Sequence, residues 1–149
     1  MLSGLRALSA ADGLLNAAVA AAMGIHPTDL QAADVLDREG PMTVGALARA
    51  LHLSPGAATA LVDRLERVGL AARRPDATSR RRVLVAPTGE GADRSEALFA
   101  PLVTRAEELL AGYGDGSLIM IERFVREATR LISEHAEAIH APRLRREPR

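Results

Sequence analysis

Cysteine, lysine and tryptophan are absent from this 149-residue sequence. Without cysteine there is no disulfide framework, no thiolate zinc site and no thiol redox switch. Without lysine, all 19 strongly basic residues are arginine, so every cation available to hold a phosphate is a planar guanidinium with several donors. Aromatic residues are also scarce: Phe99, Phe124 and Tyr113 make up 2% of the chain. A core must be assembled from leucine, valine, isoleucine and alanine, which suits packed helices better than a β-sandwich. Long hydrophobic runs are missing too. The longest apolar stretch, Ala17 to Ile25, falls well short of the ~20 residues of a membrane span. Asp12 and Asn16 interrupt any signal-like core near the N-terminus. A cytoplasmic protein is expected.

The apolar fraction is 48%, enough for a folded domain with its own core. Net charge is zero, but it is unevenly spread. Residues 54–82 hold 7 arginines against 3 acids, and residues 141–149 hold 4 against 1. Residues 1–53 hold 3 against 5, and residues 83–140 hold 5 against 10. Positive charge is therefore gathered into one central segment and the tail, as in a chain that meets a polyanion with one face.

Leu5, Leu8, Leu15, Val19 and Ala22 recur at helical spacing, and the spacing predicts a first helix over 5–23. Gly24 and Pro27 close it, and Thr28 or Asp29 is expected to cap a second helix ending near Arg38. Thr43 caps a third over 44–51. Ser54 followed by Pro55 starts a fourth that ends before Gly69, with Ala58, Leu61, Val62, Leu65 and Val68 inward. The texture then changes. Residues 70–74 and 82–86 read as the strands of a β-hairpin around a polar tip, Pro75 to Arg81. The helical period returns at Thr88 and runs through Leu98, Leu102, Ala106 and Leu109. Gly112–Gly116 breaks it. A last helix over 117–141 places Leu118, Ile121, Val125, Ala128, Ile132, His135 and Ile139 close to a heptad, as a dimer seam does. The tail, 142–149, is basic and expected to be disordered.

Helix, short turn, helix, hairpin with an arginine-rich tip is the order of a winged helix-turn-helix. Small residues at the start of the fourth helix, Gly56, Ala57, Thr59 and Ala60, let it sink into a major groove. Its first-turn N–H groups suit a phosphate. Arg80, Arg81 and Arg82 at the tip suit a narrow minor groove. The stretch MTVGALARALHLSPGAATALVDRLERVGLAARRPDATSRRRVLVAPTGEG, residues 42–91, resembles the MarR (multiple antibiotic resistance regulator) family. A weaker likeness covers PTDLQAADVL, residues 27–36, and the two long C-terminal helices.

The resemblance implies a mainly α fold with a small β-hairpin wing. Residues 28–87 would form the DNA-binding lobe, and residues 1–27 with 88–141 a helical dimerisation region. It implies a homodimer on a pseudo-palindromic double-stranded operator, acting as a repressor relieved by a small organic effector. By position, Ser54, Pro55, Gly56, Ala57, Thr59, Ala60 and Arg64 fall on the recognition helix. Arg74, Ser79, Arg80 and Arg81 fall on the wing, with Arg73 at its entrance. The chain departs from the family's pattern at Ala60, where arginine is common, and at Ser79, where an aspartate usually braces the wing. An effector pocket is expected to be aliphatic, bounded by Leu14, Val19, Met23 and Ile25, with His26 at its edge.

Other chemistries find little support. No nucleophile elbow, glycine-rich phosphate loop or acid–base pair is present, so neither an enzyme nor a cofactor is expected. The spacing of His26, His52, His135 and His140 matches no zinc motif, and no metal is expected. Asp63 and Glu66 lie among Arg64 and Arg67 and read as local helix pairing. The rival reading is a dimeric protein-interaction module with weakened DNA binding.

Overall fold

In the computed structural model, residues 2–140 are described. They form α1 (Leu2–Met23), α2 (Pro27–Glu39), α3 (Val44–Ala50), α4 (Pro55–Arg67), β1 (Ala71–Asp76), β2 (Ser79–Pro87), α5 (Gly89–Ala111) and α6 (Asp115–His140). The chain divides into two compact units after Leu98, within α5. No single helix among the described residues is long and apolar enough to cross a membrane. The basic tail, 142–149, lies outside the described residues.

The first unit is built on apolar stripes meeting around one core. Leu36 of α2, Leu47 of α3, Leu61, Val62 and Leu65 of α4, and Val85 of β2 are all closed from solvent. Val19, Ala20 and Met23 bring the end of α1 onto it. Ser54 caps α4 as its sequence promises: its Oγ accepts the Ala57 N–H at 3.3 Å, with Pro55 fixing the first helical φ. Thr43 caps α3 in the same way, accepting from Ala46 N at 3.2 Å.

The ends of α3 and α4 share one device. At the end of α4, Leu70 N–H bonds back to Leu65 O at 2.9 Å and Gly69 N–H to Glu66 O at 3.1 Å, with Gly69 at φ 73°. At the end of α3, Leu53 N–H bonds to Ala48 O at 2.8 Å and His52 N–H to Arg49 O at 3.2 Å. Here the left-handed position is held by His52, at φ 52°, where a Cβ costs about 1 kcal/mol. The turn between the two helices is thus tight and backbone-bonded.

Two expectations are corrected. The cap of α2 is His26, not Thr28 or Asp29. Pro27 pre-sets the first helical φ, so the cap must precede it. His26 Nδ1 accepts from Thr28 N at 3.2 Å, and Asp29 Oδ2 accepts from His26 N at 3.3 Å, a reciprocal capping box. The hairpin is also longer than expected. Asp76 Oδ1 accepts from both Thr78 N and Thr78 Oγ1 at 2.8 Å, which closes the turn locally and carries the strands out to Asp76 and Ser79.

The register is Ala71↔Pro87 through Pro75↔Val83, then Asp76↔Ser79 after a bulge. Residues 80–82 therefore have no partner on β1 and arch out of the ladder. At its base the hairpin is tied to the loop before α3, because Met42 and Val85 exchange both backbone hydrogen bonds, at 3.0 and 2.7 Å.

The second unit comprises the end of α5 and all of α6. Pairs four residues apart line the exposed side of α6: Arg123–Glu127, Arg126–Glu122 and Arg130–Glu134. Each adds only a few tenths of a kcal/mol. No described residue of this unit is buried.

Candidate nucleic-acid interface

Helix α4 presents Ser54, Pro55, Gly56, Ala57, Thr59 and Ala60 to solvent along its first two turns. Its opposite face, Ala58, Leu61, Val62 and Leu65, is buried. The exposed strip carries no long side chain. Thr59 Oγ1 donates to Pro55 O at 3.0 Å, so its hydroxyl hydrogen is spent and its oxygen is left to accept.

Arginine–carboxylate pairs grip α4 on both flanks. On the α2 side, Arg64 Nη2 donates to Asp29 Oδ1 at 2.7 Å, and Nε lies 3.2 Å from both carboxylate oxygens. Asp29 is 3% exposed. The hydrogen bond from Arg64, more than the bare attraction between charges, raises the guanidinium pKa above its ordinary value. On the wing side, Arg73 of β1 reaches back to Asp63 Oδ1 at 2.8 Å and to Glu66 Oε2. Its backbone N–H also donates to Glu66 Oε1 at 2.8 Å. Local pairing of Asp63 and Glu66 with Arg64 and Arg67 does not form. Both carboxylates turn to Arg73 of β1 instead.

The two arginines expected to enter the wing therefore part company. Arg73 is absorbed into the lobe. Arg74, its neighbour on the opposite face of the strand, is exposed, and no ion pair engages it among the described residues. Arg81 is likewise exposed and without an ion pair there, and Ser79 is exposed. Arg82 Nε lies 3.7 Å from Asp76 Oδ2. Asp76 braces the turn in place of the aspartate that Ser79 replaces. Thr78's N–H and hydroxyl, with Arg82 behind them, hold its carboxyl below the usual range. The backbone of Arg80 lies in the unopposed arch, while its side chain is outside the described residues.

The five residues expected to bound an effector pocket are not brought together. Leu14 is 74% exposed, whereas Val19 and Met23 are spent in the core of the first unit. Leu14 stands one position off the stripe that carries Leu15 and Val19, and the core covers α1 only toward its end. Ile25 is half-buried. His26 borders a groove of about 470 Å³ with Thr28, Leu53, Ala57, Ala60, Leu61 and Arg64.

Sequence reasoning missed Asp29 as the hub of the α2–α4 contact. Its signal was double: an aspartate at the third position of a helix, and an arginine on the same flank of α4 as Ala57 and Ala60.

The chain matches a family model described as MarR family over residues 23–82. It is 40% identical over 126 residues to a Bacillus subtilis (strain 168) protein described as the uncharacterized HTH-type transcriptional regulator YcgE, covering 85% of this chain and 82% of that one. A solved MarR family protein from Bacillus stearothermophilus superimposes with TM-score 0.69 at 26% identity, over 88% of this chain and 91% of that one. A MepR mutant from a multidrug resistant S. aureus clinical isolate shares the fold, with TM-score 0.71 at 20% identity over 90% and 96% of the two chains.

Proposed function

Because the chain belongs to the MarR family of DNA-binding, HTH-type transcriptional regulators, we propose that it acts as a homodimer on a pseudo-palindromic double-stranded operator, as a repressor released by a small organic effector. The observation that carries the DNA geometry is the pairing pattern around α4. Arg64 and Arg73 are tied to carboxylates on the two flanks of the helix, while among the described residues Arg74 and Arg81 stand exposed without an ion pair. In this reading Ser54, Pro55, Gly56, Ala57, Thr59 and Ala60 enter the major groove. The arch with Ser79, Arg80 and Arg81 follows the flanking minor groove, and Arg74 meets phosphate. Residues 28–87 are the reading lobe, and 1–27 with 88–141 the dimerising region.

The dimer draws support from the second unit. Leu102, Leu109, Phe124, Leu131, Ile132 and Ile139 are all exposed there. A helix pair with that much bare apolar surface needs a cover, and a second copy supplies the same seam.

The test is selection of genomic fragments by purified protein near physiological salt, with sedimentation of the same sample. An enriched pseudo-palindrome bound by a dimer supports the proposal. Absence of enrichment from a folded dimer turns the reading toward a protein-interaction module. Once the operator is in hand, release of its complex by candidate organic acids tests the effector. Failure of every candidate to weaken the complex would leave a constitutive repressor.

A further inference from the structure

We infer that Arg94 is a positioning residue that ties the end of α4 to both helices flanking the lobe, α1 and α5, and so fixes the spacing of operator half-sites that the dimer accepts. The inference rests on the reading above, a homodimer on a pseudo-palindromic operator, and specifies what sets its geometry. Helices α1 and α4 end in the same way. At the end of α1, Gly24 N–H bonds to Ala21 O at 3.1 Å and Ile25 N–H to Ala20 O at 2.9 Å, with Gly24 at φ 68°. At the end of α4 the same pair of bonds closes around Gly69. In each helix the carbonyl just before the left-handed glycine, that of Met23 or of Val68, is left over by this pattern. Arg94 takes both: Nη1 donates to Val68 O at 3.2 Å, and Nη2 reaches Met23 O at 3.5 Å.

Two helix C-termini, each carrying partial negative charge, thus converge on one guanidinium. Arg94 makes this contact in place of an easier one. Glu90 stands four residues earlier on α5, the favoured spacing for a pair along a helix, yet no ion pair engages Arg94 among the described residues. Thr88, Gly91 and Arg94 recur every three residues and serve the same end of α4. Thr88 Oγ1 donates to Gly69 O, Gly91 lies against Leu70, and Arg94 bonds to Val68. The first two contacts join α5 to the turn after α4. The third adds α1. Arg94 is exposed, so its removal opens no cavity in the core. Its effect falls on the angles among three helix ends rather than on folding. In the dimer reading, α1 and α5 belong to the dimerising region and α4 to the reading lobe. The guanidinium therefore holds each recognition helix to both of its struts, and two such holds fix the separation of α4 from its copy.

The test uses the selected operator rebuilt as synthetic duplexes, with one base pair inserted or removed between the half-sites. Each change turns one half-site by about 35° and shifts it along the axis. The parent is expected to lose at least about tenfold in affinity on either altered duplex, because its recognition helices cannot follow. Arg94→Ala is expected to sediment as the parent dimer and to lose about threefold on the native duplex. On the altered duplexes it should lose less than about threefold more, because its helices are no longer held at one separation.

A spacing preference in Arg94→Ala as sharp as the parent's overturns the inference, whatever the loss on the native duplex, because a purely structural defect weakens all three duplexes alike. A parent indifferent to spacing overturns it too, while the DNA-binding reading stands. Arg94→Gln, neutral and of good helix propensity, is read in the same way if Arg94→Ala does not fold. Failure to enrich any duplex overturns the DNA-binding reading and this inference together, and it is recognised before any spacing is altered.

Discussion

Arg73 and Glu66 are joined twice. The backbone N–H of Arg73 donates to Glu66 Oε1 at 2.8 Å, and its guanidinium meets Glu66 Oε2. The first strand of the wing is thereby welded to the last turn of α4, before the chain has turned into β2. Glu66→Ala strips the acceptor from a half-buried backbone donor and one partner from Arg73. A loss of about 1–2 kcal/mol is expected in urea unfolding, kept small by the partial exposure of the pair. Glu66→Gln keeps an acceptor for the backbone and should lose less. Equal losses in the two variants would mean the charge, not the backbone bond, holds the strand.

Gly91 is buried at the start of α5, where an added Cβ would stand 2.8 Å from Leu70 Cα and 2.9 Å from Thr88 Oγ1. The nearest neighbour is backbone and cannot turn aside. Thr88 is also pinned, accepting the Gly91 N–H at 3.1 Å and donating to Gly69 O. Gly91→Ala is expected to destabilise by about 1–3 kcal/mol. Thermal unfolding measures it, and an unchanged midpoint would show that the α4–β1 turn can yield.

Acid should act in opposite senses on two aspartates. Thr78 holds the folded-state pKa of Asp76 below its ordinary 3.8. Its contribution is therefore complete above that value and is lost as pH falls toward the lower folded value. Burial, and after it the charge of Asp34, raises Asp37 above 3.8. Folding then binds a proton more tightly there, and stability declines as pH rises through that window. Hydrogen exchange of the Thr78 amide should lose protection in strong acid in the parent and lack that pH response in Asp76→Asn. Asp37→Asn should raise the unfolding midpoint at neutral pH and lose the advantage below about pH 4. A midpoint unmoved at neutral pH would remove the Asp37 argument.

Ile132 is 69% exposed, so a charge placed there costs the single chain little. In a homodimer seam it is costly. Ile132→Glu is expected to weaken self-association at least about tenfold in sedimentation, with helicity intact by circular dichroism. Operator affinity should fall with it, since two half-sites would no longer be held together. Dimerisation at parental strength would place the seam elsewhere.

Much of this fold could be read from the order of residues. Ser54–Pro55, Thr43 and Gly69 mark helix boundaries by local chemistry, and the stripe Ala58, Leu61, Val62, Leu65 marks the buried face of α4 by spacing. These signals are short-range, and so they survive in a linear reading. What escaped was the choice between equivalent partners. Thr28 and Asp29 are both good caps, and only the ring of Pro27 hands the position to His26. Asp63 and Glu66 had arginines beside them on the helix and one across the lobe, and the sequence does not say that Arg73 is the one they meet. Nor does it say that Arg64 meets Asp29, 35 residues away in the chain. The stripe of Leu5, Leu8, Leu15, Val19 and Ala22 likewise does not say how far along α1 the core extends: Val19 is buried and Leu8 is exposed. The wing tip was drawn too wide because the two hydrogen bonds from Thr78 to Asp76 tighten a turn that composition alone leaves loose.

The exchange of backbone bonds between Met42 and Val85 gives the wing a fulcrum. Val85 is held from two sides, by β1 and by the loop before α3, so the base of the hairpin moves only with the lobe. Beyond it the ladder runs to Pro75 and Val83 and then breaks at the bulge. In the DNA-binding reading proposed above, the hairpin is a stiff arm whose reach is set by the lobe, and the bulge sets its arginine-bearing end apart from the ladder that anchors it.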